Sequence, residues 1–411
     1  MNKIESVGKK EFLQLADRMS KLPPYLFGEI NKVKYQKRRE GIDVIDMAMG
    51  NPTDATPATI VSKLCEVVQD SRNHRYSSAS GIYNLRREIS MLYDQQYGVG
   101  LDPENEVIAT IGSKEGFAHL CLAIVSPGDF AIVPAPSYPI HNYAVVLAGG
   151  KCLSLSIYDD DCFLREIDQV CRTHVPRPRV LFLNYPHNPT AHTVELDFFR
   201  EIVRLANRHE LIVVHDLAYG GISFDDYQPP SFLQVAGAKK VGVEFTTMSK
   251  TFNMAGWRIG YCSGNSEIIR GLARVKGYYD YGVFQAIQIA SIIGLRDYDH
   301  LSKQQSTIYQ DRRDTLWNRL SKIGWPRCDL PKAGMFLWAP IPEKFRTLGS
   351  MKFSVQLMQN AEVAVSPGIG FGKDGEGFVR FALIENTQRI QQATRQIGKF
   401  LQNSSHTGKT L

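Results

Sequence analysis

The run Thr246-Thr-Met-Ser249-Lys250-Thr-Phe-Asn-Met-Ala-Gly-Trp257-Arg258 sets one lysine among hydroxyl residues, with an arginine shortly downstream. A lysine amine that condenses with a carbonyl must lie against it. Where that carbonyl belongs to a phosphorylated cofactor, the phosphate needs hydroxyl donors and a bidentate cation close by. Thr247, Ser249 and Arg258 offer both around Lys250.

Other stretches carry matching chemistry. Ile111-Gly112-Ser113-Lys114-Glu115-Gly116 joins a strand candidate to a helix. Ser113 is expected to cap that helix, whose free N–H groups and positive dipole end attract phosphate. Asn184-Tyr-Pro186-His-Asn188-Pro189-Thr190 follows an apolar run, and its prolines hold Asn188 at a strand's carboxyl end. Leu211-Ile-Val-Val214-His215-Asp216-Leu-Ala-Tyr219 leads from an apolar run through a histidine to an aspartate, with Tyr219 just beyond. A carboxylate at the end of a buried strand needs a cation or strong donors, and a protonated ring nitrogen would serve. Pro134-Ala-Pro-Ser-Tyr138-Pro places an aromatic at another strand end, where it can stack on a flat ring. Val379-Arg380-Phe381 sets an arginine in an apolar strand, and a bidentate carboxylate is its natural anion. Each piece alone has a plainer explanation: a surface lysine, a helix cap, a turn, an ion pair, a packed tyrosine.

Some features are set aside. Gly368-Ile-Gly370-Phe-Gly372 looks like a dinucleotide loop, but its spacing is wrong and it follows no first strand-to-helix turn. His187 and His192 read as loop residues, because no third ligand follows at a useful spacing. No cysteine sits in a recognisable Cys/His nucleophile context.

These residues need elements to hold them. Strand-like runs at 107–111, 130–133, 180–183, 211–214, 243–247 and 259–262 alternate with helical stretches such as 114–125 and 195–209. That alternation predicts a mostly parallel sheet wrapped by helices, with ligands beyond the carboxyl ends of its strands. Ahead of it, residues 1–50 read as an arm containing Leu22-Pro-Pro-Tyr25, then a helix near 26–40 and an apolar piece, 44–50. Helical spacing also covers 57–70 and 82–97, and a long helical pattern runs from 284 to 322. A smaller α+β portion follows, with strands at 334–338 and 378–381 and a polar tail expected to fray from Asn403.

The bulk properties fit a globular protein. The chain has 411 residues, 43% hydrophobic and 22% charged, enough for a large core and two domains. Its net charge of +6 is dispersed except at Lys37-Arg38-Arg39, which disfavours nucleic-acid binding. Arg312-Arg313, flanked by Asp311 and Asp314, is expected to be a solvated, charge-balanced helix face. The cysteine count of 7 is odd and no Cys-x-x-Cys occurs, which predicts reduced thiols. With no apolar signal region at the N-terminus and no run long enough to span a membrane, the expected location is the cytoplasm.

Together, from about Leu22 to Phe400, these motifs resemble the class I aminotransferases, pyridoxal-phosphate enzymes of fold type I. Gly50-Asn-Pro and Arg75-Tyr76-Ser-Ser-Ala-Ser-Gly81 match as well. The resemblance is strongest to bacterial alanine (glutamate–pyruvate) aminotransferases, through 214–219, 252–260 and 365–372, with LL-diaminopimelate aminotransferases nearby. It implies a large cofactor domain over 51–294, with 1–50 and 295–411 forming the arm and a smaller domain.

The resemblance also implies residue roles. Lys250 holds the cofactor covalently and carries the reacting proton, Asp216 keeps the pyridine nitrogen protonated, and Asn188 and Tyr219 hydrogen-bond the ring's phenolic oxygen. Tyr138 stacks on the ring. Ser113, Lys114, Thr247, Ser249 and Arg258 hold the phosphate, joined by Tyr76 from the second subunit of a homodimer. Arg380 clamps the substrate α-carboxylate, with Asn188, the Gly50 backbone and Tyr25 around it. The implied reaction is transamination, alanine plus 2-oxoglutarate to pyruvate plus glutamate, with no metal. Thr247 stands where many members have serine and keeps the hydroxyl. The region 278–284 supplies no second arginine for a side-chain carboxylate, which argues against a strict aspartate aminotransferase and leaves side-chain selection open. A transcription regulator with an aminotransferase-like body would need a DNA-binding domain ahead of Gly50, and the arm carries no helix-turn-helix pattern.

Overall fold

The computed structural model describes residues 15–23 and 27–406. Among them the strands are, in chain order, β1 (Ile45–Met47), β2 (Val107–Thr110), β3 (Phe130–Ala135), β4 (Lys151–Ser156), β5 (Val180–Asn184), β6 (Ile212–Asp216), β7 (Gly242–Thr247), β8 (Gly260–Gly264), β9 (Phe336–Pro340), β10 (Val363–Pro367) and β11 (Phe378–Ala382). They form a seven-stranded sheet, β2-β8-β7-β6-β5-β3-β4, and a four-stranded sheet, β1-β10-β11-β9. Strands β3 to β7 pair in parallel, and β8 runs antiparallel to both its neighbours. The α/β expectation holds, with a mostly parallel sheet and a smaller α+β part.

The apolar runs explain the larger sheet. All five residues of β5 are buried, as expected for a parallel strand covered on both faces. Leu181 and Leu183 pack into one core with Phe199 and Ile202, while Val180 and Phe182 face the opposite core with Phe117 and Leu120. The helix Leu196–His209 buries Phe198, Phe199, Ile202, Val203, Leu205 and Ala206 on one stripe and stops at Glu210, whose φ of 58° is left-handed. Each of these side chains except that of Ala206 contributes about 1.5–3 kcal/mol by leaving water. The chain reverses direction across the sheet at β3, which has β4 on one side and β5 on the other. Ligand sites favour the crevice at such a reversal.

Several elements escaped the sequence. Strand β4 (Lys-Cys-Leu-Ser-Leu-Ser) is an edge strand with a polar outer face, so its apolar signal is thin. Strands β1 and β10 pair in parallel, so the four-stranded sheet needs a segment from each end of the chain. The 284–322 stretch is two helices, Gln285–Arg296 and Tyr298–Lys322. The last helix, Thr387–His406, continues through Asn403, where fraying was expected to begin; the residues after it lie outside those described.

One expectation fails outright. Arg312 and Arg313 are 5% and 2% exposed. With Tyr309, Leu316 and Leu320 they form the buried stripe of their helix, at the spacing of a core face. Arg312 forks onto Asp54 with two 2.7 Å bonds. Arg313 pairs with Asp225 and Asp314 and donates to the Pro331 carbonyl at 2.8 Å. Carboxylates far away in the chain made this burial possible, and local charge pattern does not reveal them. Among the described residues no helix is long and apolar enough to cross a membrane.

Candidate active site

A cavity of about 290 Å³ opens where the carboxyl ends of β5, β6 and β7 face the four-stranded sheet. All the residues nominated from the sequence line it except two. Tyr25 lies outside the described residues. Tyr76 is 88% exposed on the surface, its ring 5.1 Å from that of Tyr281.

One end of the cavity is built for an anion. Between β2 and the helix Ser113–Ile124, Gly112 occupies the N-cap position with φ 72°. Ser113 is therefore the first residue of the helix and makes no side-chain cap bond, contrary to expectation. The backbone turns before the serine because only a glycine fits there: a Cβ on Gly112 would run into the Arg258 guanidinium. Arg258 itself is left-handed, φ 54°, and donates from Nη1 to the Ala255 carbonyl at 2.9 Å. Such a conformation in a non-glycine residue is held by its surroundings and is common at binding sites. Thr247 caps the short helix Met248–Thr251 by accepting the Ser249 N–H at 3.1 Å, and its hydroxyl donates to Ser249 Oγ at 2.9 Å. A helix N-terminus, three hydroxyls, Lys114 and Arg258 thus converge, a donor set suited to a phosphate.

The middle of the cavity holds a carboxylate and its supports. Asn184 and Asp216 are register partners at the ends of β5 and β6. Asn184 Nδ2 donates to the Asp216 carbonyl at 2.8 Å, and Asn184 Oδ1 accepts the Asn188 N–H at 2.9 Å. One asparagine therefore rivets the Asn-Pro turn to the neighbouring strand. Asp216 is 5% exposed. One of its oxygens accepts the Ala218 N–H at 3.2 Å, and the other lies 3.1 Å from His141 Nε2. His141 is fully buried and its Nδ1 has no partner among the described residues, which assigns the ring proton to Nε2, facing Asp216. Tyr219 stands 3.4 Å from Asn188 Nδ2, and burial holds its phenol well above the ordinary range, so the hydroxyl stays protonated.

Lys250 and Arg380 meet at the other end. Lys250 Nζ donates to the Gly50 carbonyl at 2.7 Å. Burial first, then the charges of Arg380 and Arg258, push its amine down to about 8, against a smaller opposing pull from Asp216. A sizeable neutral fraction near neutral pH makes it a nucleophile and a base. Arg380, on β11, donates to Asn188 Oδ1 at 2.6 Å, the Ala48 carbonyl at 2.9 Å and Ser366 Oγ at 3.3 Å. The rings of Phe336 and Phe371 lie 4.1 and 4.6 Å from its guanidinium carbon, which fixes the plane of the fork. A Cβ on Gly50 would meet the Phe336 ring at 2.8 Å, so the wall beside Lys250 requires glycine.

Sequence reasoning missed His141, Asn184, Phe336 and Phe371. Asn184 opens the stretch singled out for Asn188, whereas His141 lies two residues beyond the stretch singled out for Tyr138, so neither role was named. The two phenylalanines look like ordinary core residues, and only the packing around Arg380 reveals them.

The model of the family "Aminotransferase class I and II" matches residues 42–397. Among curated proteins the chain is similar to the glutamate-pyruvate aminotransferase AlaC of Escherichia coli (strain K12), 48% identical over 92% of each chain. It is also similar to the LL-diaminopimelate aminotransferase of Halothermothrix orenii, 40% identical over 94% of this chain and 98% of the relative. Among solved structures it is similar to substrate-bound BacF from Bacillus subtilis, with a TM-score of 0.90, 31% identity, and coverage of 94% of this chain and 98% of that one.

Proposed function

The chain belongs to the class I and II aminotransferases, pyridoxal-phosphate enzymes, and from that premise we propose that it transfers the amino group of alanine to 2-oxoglutarate, giving pyruvate and glutamate. The observation that carries this reading is the meeting around one cavity of Asp216 from the end of β6, Lys250 from the short helix after β7, and Arg380 from the middle of β11. The residues fit the cofactor. The anion end made by Ser113, Lys114, Thr247, Ser249 and Arg258 suits its phosphate, with Gly112 leaving room for Arg258. A buried carboxylate suits a protonated ring nitrogen, and the hydroxyl and amide of Tyr219 and Asn188 suit its phenolic oxygen. Tyr138, half-buried in the cavity wall, suits its flat ring.

When bound, pyridoxal phosphate supplies a carbonyl for amines and a cationic ring that draws off the electrons left as the substrate Cα–H bond breaks. The protein's contribution is position and proton placement. Asp216 holds the proton on the ring nitrogen, and His141 holds Asp216. Lys250 anchors the cofactor while the site waits. With the cofactor bound, the neutral Nζ of Lys250 would serve as the base that takes the proton from the substrate Cα. Arg380 grips the α-carboxylate through its fork, which sets the Cα–H bond toward Lys250. Met49, Tyr138 and Phe336 line the cavity with it.

The same reading takes two chains as the working unit, with Tyr76 of one completing the phosphate site of the other. Its support is the exposure of Tyr76, Tyr278, Tyr279 and Tyr281 on one face. It also takes 51–294 as the cofactor domain and the cytoplasm as its location, in keeping with seven free cysteines. The test mixes holoenzyme with L-alanine, L-glutamate, L-aspartate and LL-diaminopimelate and follows conversion of the cofactor's visible absorption to the amine form. Conversion by alanine and glutamate is expected. Conversion by diaminopimelate without alanine would overturn the substrate assignment.

A further inference from the structure

Lys276 lies in the last turn of the helix Ser266–Tyr279 and is fully buried. A lysine ammonium out of water needs close anionic partners. Its Nζ stands 3.1 Å from Glu115 Oε1 and 2.9 Å from Asp280 Oδ2. His119 Nδ1 lies against the Glu115 carboxylate and 3.4 Å from Asp280. Ligand atoms of Glu115, His119 and Asp280 lie within 4.8 Å of one another, a spacing a metal ion could use. The Lys276 ammonium already bridges the two carboxylates, so the cluster carries its own cation.

The cluster reaches in two directions. Glu115 Oε2 accepts the Ile111 N–H at 2.7 Å. Ile111 precedes Gly112, so this carboxylate ties down the turn that presents Ser113 and Lys114 to the cavity. Asp280 Oδ1 accepts the Gly282 N–H at 2.6 Å, and Gly282, with φ 86°, packs so tightly on the Ser78 carbonyl that a Cβ would come within 2.6 Å of it. Neither Lys276, Glu115 nor Asp280 lines the cavity.

We propose that Lys276, held between Glu115 and Asp280, is a positioning residue for the cofactor phosphate: it clamps the 111–114 turn so that the helix N–H groups and Ser113 converge on the anion. This rests on the pyridoxal-phosphate site described above. Of the cluster's two arms, the Glu115 arm is the one that leads to the cavity, through the 111–114 turn, so loss of the clamp should weaken phosphate binding more than the rest of the site.

The experiment titrates apoprotein with pyridoxal phosphate and, separately, with pyridoxal, which lacks the phosphate. Wild type is compared with Lys276→Met and with Glu115→Gln, which keeps the volume and an acceptor for Ile111. In Lys276→Met the dissociation constant for pyridoxal phosphate is expected to rise by about tenfold or more, because two neighbouring carboxylates lose the ammonium between them and the turn loosens; in Glu115→Gln, where Lys276 keeps Asp280, the rise should be smaller. The constant for pyridoxal should stay within about twofold, because no phosphate is there to be positioned. Should Lys276→Met fail to fold, Glu115→Gln decides alone. Unchanged pyridoxal-phosphate affinity in the folded variants, or equal losses for both ligands, would overturn the clamp. Wild type that binds neither ligand would overturn the cofactor site itself.

Discussion

Arg380 and Arg312 are both buried arginines, 3% and 5% exposed, and each lies near an aromatic ring. Their partners differ. Arg312 forks onto the Asp54 carboxylate and adds the Leu383 carbonyl at 3.4 Å. Arg380 donates to an amide, a carbonyl and a hydroxyl, and faces the cavity. A guanidinium locked onto a carboxylate joins distant parts of the chain. One oriented by neutral oxygens and two rings, at a cavity wall, is aimed at a ligand's anion. The Tyr298–Lys322 helix and the pocket thus use the same side chain for different ends.

That contrast can be broken by experiments that separate activity from stability. The largest effect is expected from Lys250→Ala, which should cut turnover by more than roughly a thousandfold and remove the visible absorption of the lysine-bound cofactor. Its melting temperature without cofactor should not fall, because the buried amine it removes is itself a cost to folding below about pH 8; calorimetry of the apoprotein checks this. Arg380→Gln comes next. Losing a bidentate carboxylate contact of about 2–3 kcal/mol should lower kcat/KM roughly a hundredfold in steady-state assays, with the cofactor spectrum retained. Arg312→Gln should do the reverse. Denaturant unfolding should show a loss of about 2 kcal/mol, discounted because Asp54 is partly solvated, while the folded enzyme keeps its kcat. If Arg312→Gln damaged kcat and left stability intact, the comparison would fail.

The smallest effect concerns pH. The Lys250 amine falls from 10.5 to about 8 on folding. Between those values the unfolded chain holds more protons than the folded one, so apoprotein stability should rise with pH across the window. The penalty of burying the charged amine is complete below about 8. Unfolding curves of apoprotein measured against Lys250→Met should diverge in that direction, and a constant difference would contradict the depressed amine.

The two arginines also mark what the sequence could disclose. Asp216, Asn188 and Ser113 were legible because they end or closely follow an apolar strand or open a helix, and in a parallel sheet those ends share one crevice; Lys250 was legible from the hydroxyls and the arginine around it. Arg380 was legible as a charge inside an apolar strand. Arg312 was misjudged because its compensating carboxylate, Asp54, is remote in the chain, while Asp311 and Asp314 beside it suggested a solvated face. His141 went unnamed for the same reason: its meaning depends on Asp216, which belongs to another strand. Strands β1 and β4 are edge elements, and β10 pairs with β1 from the other end of the chain, so their pairing is decided by tertiary neighbours rather than local pattern.

We propose Lys250 as the residue that holds the cofactor covalently. Holoenzyme reduced with borohydride, digested and read by mass spectrometry tests it directly. The account predicts a pyridoxyl group on the peptide containing Lys250. A pyridoxyl group on Lys114 instead, or on no lysine of the pocket, would contradict it.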